Sequence, residues 1–181
     1  MRLREPLRTI AAILAAGLAA ACFVLLHPVA DAFVGLAGCL VLVAVTVTDL
    51  ERRIIPNRIV LPAVVAALAV RTALDPSLRW VLAALGVGGI VLAVALVYPA
   101  GMGMGDVKLT VFLGAWLGWQ ALTALLLALL ASFLPALGIL LVRGNAGRKV
   151  GMPFAPFLAV GGIAALLAGT QIVDWYRTLG H

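Results

Sequence analysis

The placement of charge constrains this chain more than any other feature. No charged residue lies between Arg8 and Asp31, between Asp31 and Asp49, between Arg79 and Asp106, or between Lys149 and Asp174. The gap from Lys108 to Arg143 holds 34 uncharged residues. Runs of this length cross the ~30 Å hydrocarbon core of a bilayer as helices, which satisfy their backbone polar groups internally. Composition agrees. Of 181 residues, 65% are hydrophobic and 11% charged, whereas about a quarter are charged in a soluble domain. The expected fold is an all-α, polytopic membrane bundle.

Seven spans are expected, at 9–26, 32–48, 59–74, 80–98, 107–118, 121–142 and 153–173. The third is the weakest, because only 12 uncharged residues separate Arg58 from Arg71 and its ends would have to snorkel. The long run after Lys108 would be ~50 Å as one helix, too long for a single crossing. It is broken here at Gly118, Trp119 and Gln120, where an interfacial aromatic and an amide follow a glycine. With the N-terminus in the cytoplasm, ten basic residues fall inside: Arg2, Arg4, Arg8, Arg52, Arg53, Arg58, Lys108, Arg143, Arg148 and Lys149. Three fall outside, Arg71, Arg79 and Arg177, the asymmetry that the positive-inside rule requires. Merging spans five and six would place Arg143, Arg148 and Lys149 outside and spoil it. Multi-pass residence in the cytoplasmic (inner) membrane follows. The basic start and Ala19-Ala20-Ala21-Cys22 also admit a signal-peptide reading, which the apolar continuation to Leu26 disfavours. Residues 1–181 read as one domain.

The net charge of +6 lies in short loops, where it marks topology and headgroup contact rather than nucleic-acid binding. Cys22 and Cys39 fall in apolar runs and form no CxxC pair. His27 and His181 stand far from other ligand-type residues, so neither a metal nor another cofactor is expected.

Seven acidic residues remain to carry chemistry, and an ionisable group in or beside a span is a functional candidate by default. Glu5 and Asp174 belong to terminal segments, while Asp31 and Asp75 are placed in outer loops. Asp49 ends span two, and Asp106 opens span five after the glycines Gly101, Gly103 and Gly105. This topology brings both to the cytoplasmic side. Two carboxyls a few Å apart in a poorly hydrated site share one proton. The ionised member then serves as general base toward water, and the protonated member as acid toward a leaving amine. The glycines permit close approach of an extended peptide to a strand-like stretch. Simple helix capping by Asp106, and an interfacial helix end at Asp49, stand beside this reading.

Gly103-Met104-Gly105-Asp106, followed by Val107-Lys108-Leu109, resembles the GxGDxKL signature of type IV prepilin peptidases. Asp49-Leu50-Glu51-Arg52-Arg53-Ile54-Ile55-Pro56-Asn57 is similar to their first motif, an aspartate seven residues ahead of a proline. Gly114 to Trp119 and Pro153-Phe154-Ala155-Pro156-Phe157-Leu158 resemble two further stretches, although Ala155 departs from the usual PFGPFL. The four motifs cover about residues 46–162. The resemblance implies a membrane aspartic endopeptidase that removes the basic leader of prepilin-like proteins, with Asp49 and Asp106 as catalytic residues. It gives Gly103, Gly105, Lys108, Glu51, Pro56 and Asn57 supporting places, and Pro153, Phe154 and Pro156 a place in a substrate loop, beside the plainer reading that Pro153 and Pro156 only start span seven. Glu51 lies about 200° from Asp49 around a helix, which suits a supporting charge. Lys108 either biases the pair or merely flanks the membrane. The bifunctional members' cytoplasmic domain with paired CxxC motifs has no counterpart between spans one and two, so a peptidase-only form is expected. Pro135-Ala136-Leu137 spells the PAL tripeptide of presenilin-type GxGD proteases, yet Thr48 replaces the tyrosine of their YD motif. The alternatives from other classes are a small ion- or proton-coupled transporter using the two carboxylates as a relay, and a pilus-assembly scaffold.

Overall fold

A computed structural model of the chain describes residues 5–26, 29–99, 102–143 and 153–179. Seven helices and no strand are present among them: α1 (Glu5–Leu25), α2 (Val29–Arg52), α3 (Asn57–Leu74), α4 (Arg79–Val97), α5 (Met104–Leu117), α6 (Gln120–Arg143) and α7 (Ala155–Leu179). The expected all-α bundle is what forms. Helices Val29–Arg52, Asn57–Leu74, Arg79–Val97 and the stretch Gln120–Gly138 are long and apolar enough to cross a membrane. Large apolar side chains such as Ile13, Val24, Leu85 and Leu134 are exposed on the bundle's outside, the surface that lipid covers. Gly101, Arg148 and Lys149, which entered the sequence argument, lie outside the described residues.

Short connections make successive helices alternate in direction. The break between α5 and α6 falls at the expected place. Gly118 adopts φ +63°, the left-handed region open to glycine at little cost, and its N–H closes the last turn onto the Gly114 carbonyl at 3.0 Å. At α3 the expectation fails at one end, since Arg58 is exposed but Arg71 is not. Arg71 does not snorkel to solvent. It turns inward, its side chain 12% exposed, and donates from Nη1 to Asp31 Oδ1 at 2.6 Å and from Nε to the Trp116 carbonyl at 2.9 Å. Asp31 correspondingly sits in the first turn of α2 rather than in a loop.

The centre of the bundle is α5, although it has only 14 residues. Leu109, Phe112, Leu113, Ala115 and Trp116 are all buried. The rings of Phe112 and Trp116 stack at 5.7 Å, and the Trp116 indole donates to the Val34 carbonyl of α2 at 3.0 Å. Small residues let the helices approach, as membrane helix contacts require. A Cβ at Gly114 would stand 2.6 Å from the Ala83 carbonyl oxygen of α4. The middle of α5 is thus sealed by side chains, while its two ends reach opposite faces of the bundle.

Candidate active site

The end of α2, the starts of α3, α5 and α7, and their connections meet at one face. Between them lies a cavity of about 400 Å³ lined by Asp49, Asp106, Arg53, Ile55, Asn57 and Lys108 among others. Each wall has a local cause. Proline cannot follow a helical residue comfortably, so Pro56 ends α2 ahead of Ile55 and caps α3 in an extended conformation. The reversal passes through Arg53 at φ 52°, an unusual conformation for a residue with a side chain and one that often accompanies functional sites. On the opposing wall, Gly103 caps α5, and the Asp106 amide donates to its carbonyl at 3.1 Å. Asp106 therefore lies inside the first turn of α5, and the expected strand-like approach to it is helical from Met104 onward.

The two carboxyls line the same cavity. Asp49 is 7% exposed, and its Oδ2 is buried with no hydrogen-bond partner among the described residues. The backbone amide of Ala155 faces the same carboxyl, so the start of α7, a helix end that attracts anions, backs it. Asp106 is half-buried and faces the Gly103 amide. The Thr110 hydroxyl donates to the Asp106 carbonyl at 2.8 Å, one turn along α5. An unsatisfied buried carboxylate oxygen is costly, and a shared proton or an ordered water between the two acids relieves that cost. Such a pair suits general acid–base attack by water.

Other sequence candidates divide. Gly103, Gly105, Asn57, Lys108, Pro153 and Phe154 line the cavity with the two aspartates, whereas Glu51, Pro56 and Pro156 do not. Glu51 lies on another side of α2, as its angular offset requires. Pro156 contributes to an apolar groove among α1, α2 and α7. Pro135 is inside α6 and does not line the cavity. Lys108 is committed: Nζ donates to Asn57 Oδ1 at 2.9 Å, joining α5 to α3 across the mouth. Gly105 has a different reason from the expected one. A Cβ there would stand 2.9 Å from Ile55 Cβ, so the α2–α3 connection, not an open peptide channel, occupies its side. Arg53, Ile54 and Ile55 are the lining residues that sequence reasoning missed; the proline after them was the available signal. Among the described residues, no group of three His, Cys, Asp or Glu side chains is placed to hold a metal ion.

Fold and site together define a polytopic helical membrane protein with a two-carboxylate pocket at one face. Residues 36–141 match the type IV leader peptidase family, and the chain belongs to that family. It is 37% identical over 158 residues to a prepilin leader peptidase/N-methyltransferase of Aeromonas hydrophila, covering 76% of this chain and 50% of that protein. A protein of the same name from Burkholderia pseudomallei is 35% identical, covering 90% of this chain and 54% of its own length. That from Pseudomonas aeruginosa is 49% identical over 78 residues, covering 42% of this chain and 26% of its own. The chain thus spans about half the length of the first two relatives. No solved structure matches it.

Proposed function

We propose that the chain is an aspartic endopeptidase that removes the short basic leader from prepilin-like proteins at the cytoplasmic face of the inner membrane. One observation carries this reading: carboxyls from Asp49 and Asp106, far apart in sequence, line one cavity, and one of their oxygens is buried without a partner among the described residues. The names of the relatives support the substrate class, and the ten-to-three distribution of basic residues supports the cytoplasmic side.

In the proposed reaction the ionised member of the pair takes a proton from a water molecule, whose oxygen adds to the scissile carbonyl. The protonated member donates a hydrogen bond to that carbonyl oxygen and then gives its proton to the leaving amine as the C–N bond breaks. The pair titrates as a unit, so neither residue owns the proton. A transporter using the same carboxylates would need a polar path along α5, and Phe112, Leu113 and Trp116 fill that region.

The test is leader loss. Membranes carrying the protein are incubated with a prepilin-like substrate and the products are resolved by mass. The wild type should shorten the substrate, and Asp106→Asn should leave it intact while inserting normally. Wild-type cleavage by Asp106→Asn would overturn the reading. For sidedness, a cysteine introduced near Arg53 should resist an impermeant thiol reagent in intact cells, and one near Ser77 should react.

A further inference from the structure

At the face opposite the aspartate pair lies a second cavity of about 640 Å³, formed by the ends of α1, α3 and α5 with the starts of α2, α4 and α6. Its polar wall carries two guanidiniums and two carboxylates, from Arg71, Arg79, Asp31 and Asp75. Arg71 is engaged by Asp31 and the Trp116 carbonyl. Arg79 is different. Its side chain is 55% exposed, and it pairs with Asp75, itself 42% exposed. Exposed pairs of this kind are weak, so the Arg79–Asp75 pair can open to another ligand while Asp75 keeps its contact with the Ser77 hydroxyl at 3.3 Å. The rim is otherwise fixed, since Trp80 Nε1 donates to the Asp75 carbonyl at 3.3 Å. The rest of the wall is largely apolar, with Leu25, Leu26 and Leu166.

Two positive and two negative groups select against simple ions. An anion entering here meets Asp31 and Asp75, and a cation meets Arg71 and Arg79. A ligand with both charges a few Å apart satisfies both sets. The aromatic component narrows the choice further. Quaternary ammonium groups are held on aromatic faces, but Trp80 already carries the protein's own cations, with Arg71 at 5.0 Å and Arg79 at 4.4 Å from its ring centroid. A primary ammonium has three N–H donors and is suited to carboxylates instead. A guanidinium is suited to phosphate.

We propose that this cavity binds the headgroup of a zwitterionic, primary-ammonium phospholipid, phosphatidylethanolamine. Its phosphate pairs with Arg79, its ammonium with Asp75 and Asp31, and its first acyl carbons lie against the leucines. The headgroup exchanges an exposed intramolecular pair for two intermolecular ones, and the hydrocarbon beside it anchors the rest of the molecule.

The experiment counts retained lipids by native mass spectrometry of the full chain in detergent, with equal amounts of phosphatidylethanolamine, phosphatidylcholine and phosphatidylglycerol. The wild type should retain one phosphatidylethanolamine about tenfold over either competitor, a difference of about 1.4 kcal/mol. Arg79→Gln should abolish that retention, and Asp75→Asn should remove the preference over phosphatidylcholine. Equal retention of all three lipids by the wild type, preference for phosphatidylglycerol, or wild-type retention by Arg79→Gln would each overturn the proposal. Both substituted positions are half-exposed, so folding should survive, and the three-lipid competition on the wild type decides the matter by itself. The readout needs no peptide substrate, so it stands apart from leader cleavage.

Discussion

The two faces of this bundle use the same side chain in opposite ways. At one face Asp31 and Asp75 each form an ion pair with an arginine, and Arg71 adds a hydrogen bond to α5. At the other face Asp49 and Asp106 form no ion pair among the described residues, and the nearby Lys108 ammonium is held by Asn57. The Arg71–Asp31 pair ties α3 to α2, while the half-exposed Arg79–Asp75 pair is looser. A carboxylate set beside another carboxylate keeps its proton exchangeable. The difference is one of partners and of burial, not of residue type: Asp49 is 7% exposed, while the Asp31 and Asp75 side chains are 40% and 42% exposed.

The largest test of that contrast exchanges the acids one at a time. Asp49→Asn should cut leader removal by about 10³-fold or more, because in the proposed reaction the lost group is both partner and acid–base catalyst, while Asp75→Asn should change it by less than about twofold. Cleavage assays on matched amounts of inserted protein compare the two; equal losses would erase the distinction between the faces.

Next in size is Gly105→Val, whose side chain must displace Ile55. Activity should fall by about 10-fold or more, and Ile55→Gly in the same chain should restore part of it, since the nearest atom met is the Ile55 Cβ at 2.9 Å. Failure of that rescue would mean that the side chain at 105 obstructs the peptide itself. Asp31→Asn should act mainly on stability. It removes a charged hydrogen bond to an arginine that is nearly buried, a loss of about 1.5–3 kcal/mol, read as a lower unfolding midpoint in detergent. The smallest effect belongs to Gly86→Ala, where the new methyl would meet the Trp119 ring at an ordinary 3.4 Å; midpoint and cleavage should barely move.

Much of this was legible in the sequence because charge reports depth. The gaps between charged residues marked seven segments, and Gly118-Trp119-Gln120 marked the break that brings α5 and α7 to the same face as the end of α2. Alternating direction then placed Asp49 and Asp106 together. Rotation and pairing were not legible. Twelve uncharged residues before Arg71 looked like a span stretched at its ends, because nothing local to α3 announces that Asp31, forty positions earlier, receives the guanidinium. Gly105 read as room for a ligand, yet its neighbour is Ile55, which comes from a reversal at Arg53 that no glycine or asparagine signals. Glu51 could be set aside from angle alone, since helix periodicity is local. Contacts across the bundle depend on how helices pack, and charge spacing carries no record of that.

The shortness of α5 bears on electrical insulation. Its 14 residues measure about 21 Å, and one of the two cavities opens at each end. Water entering both would leave a dielectric layer about two-thirds as thick as the ~30 Å core of a surrounding bilayer. A membrane voltage, worth about 2.3 kcal/mol per elementary charge per 100 mV, would fall over this shorter distance. Phe112, Leu113 and Trp116 would then stand in a local field about 1.4 times that in the adjacent lipid, where the protein makes the insulating layer thinnest.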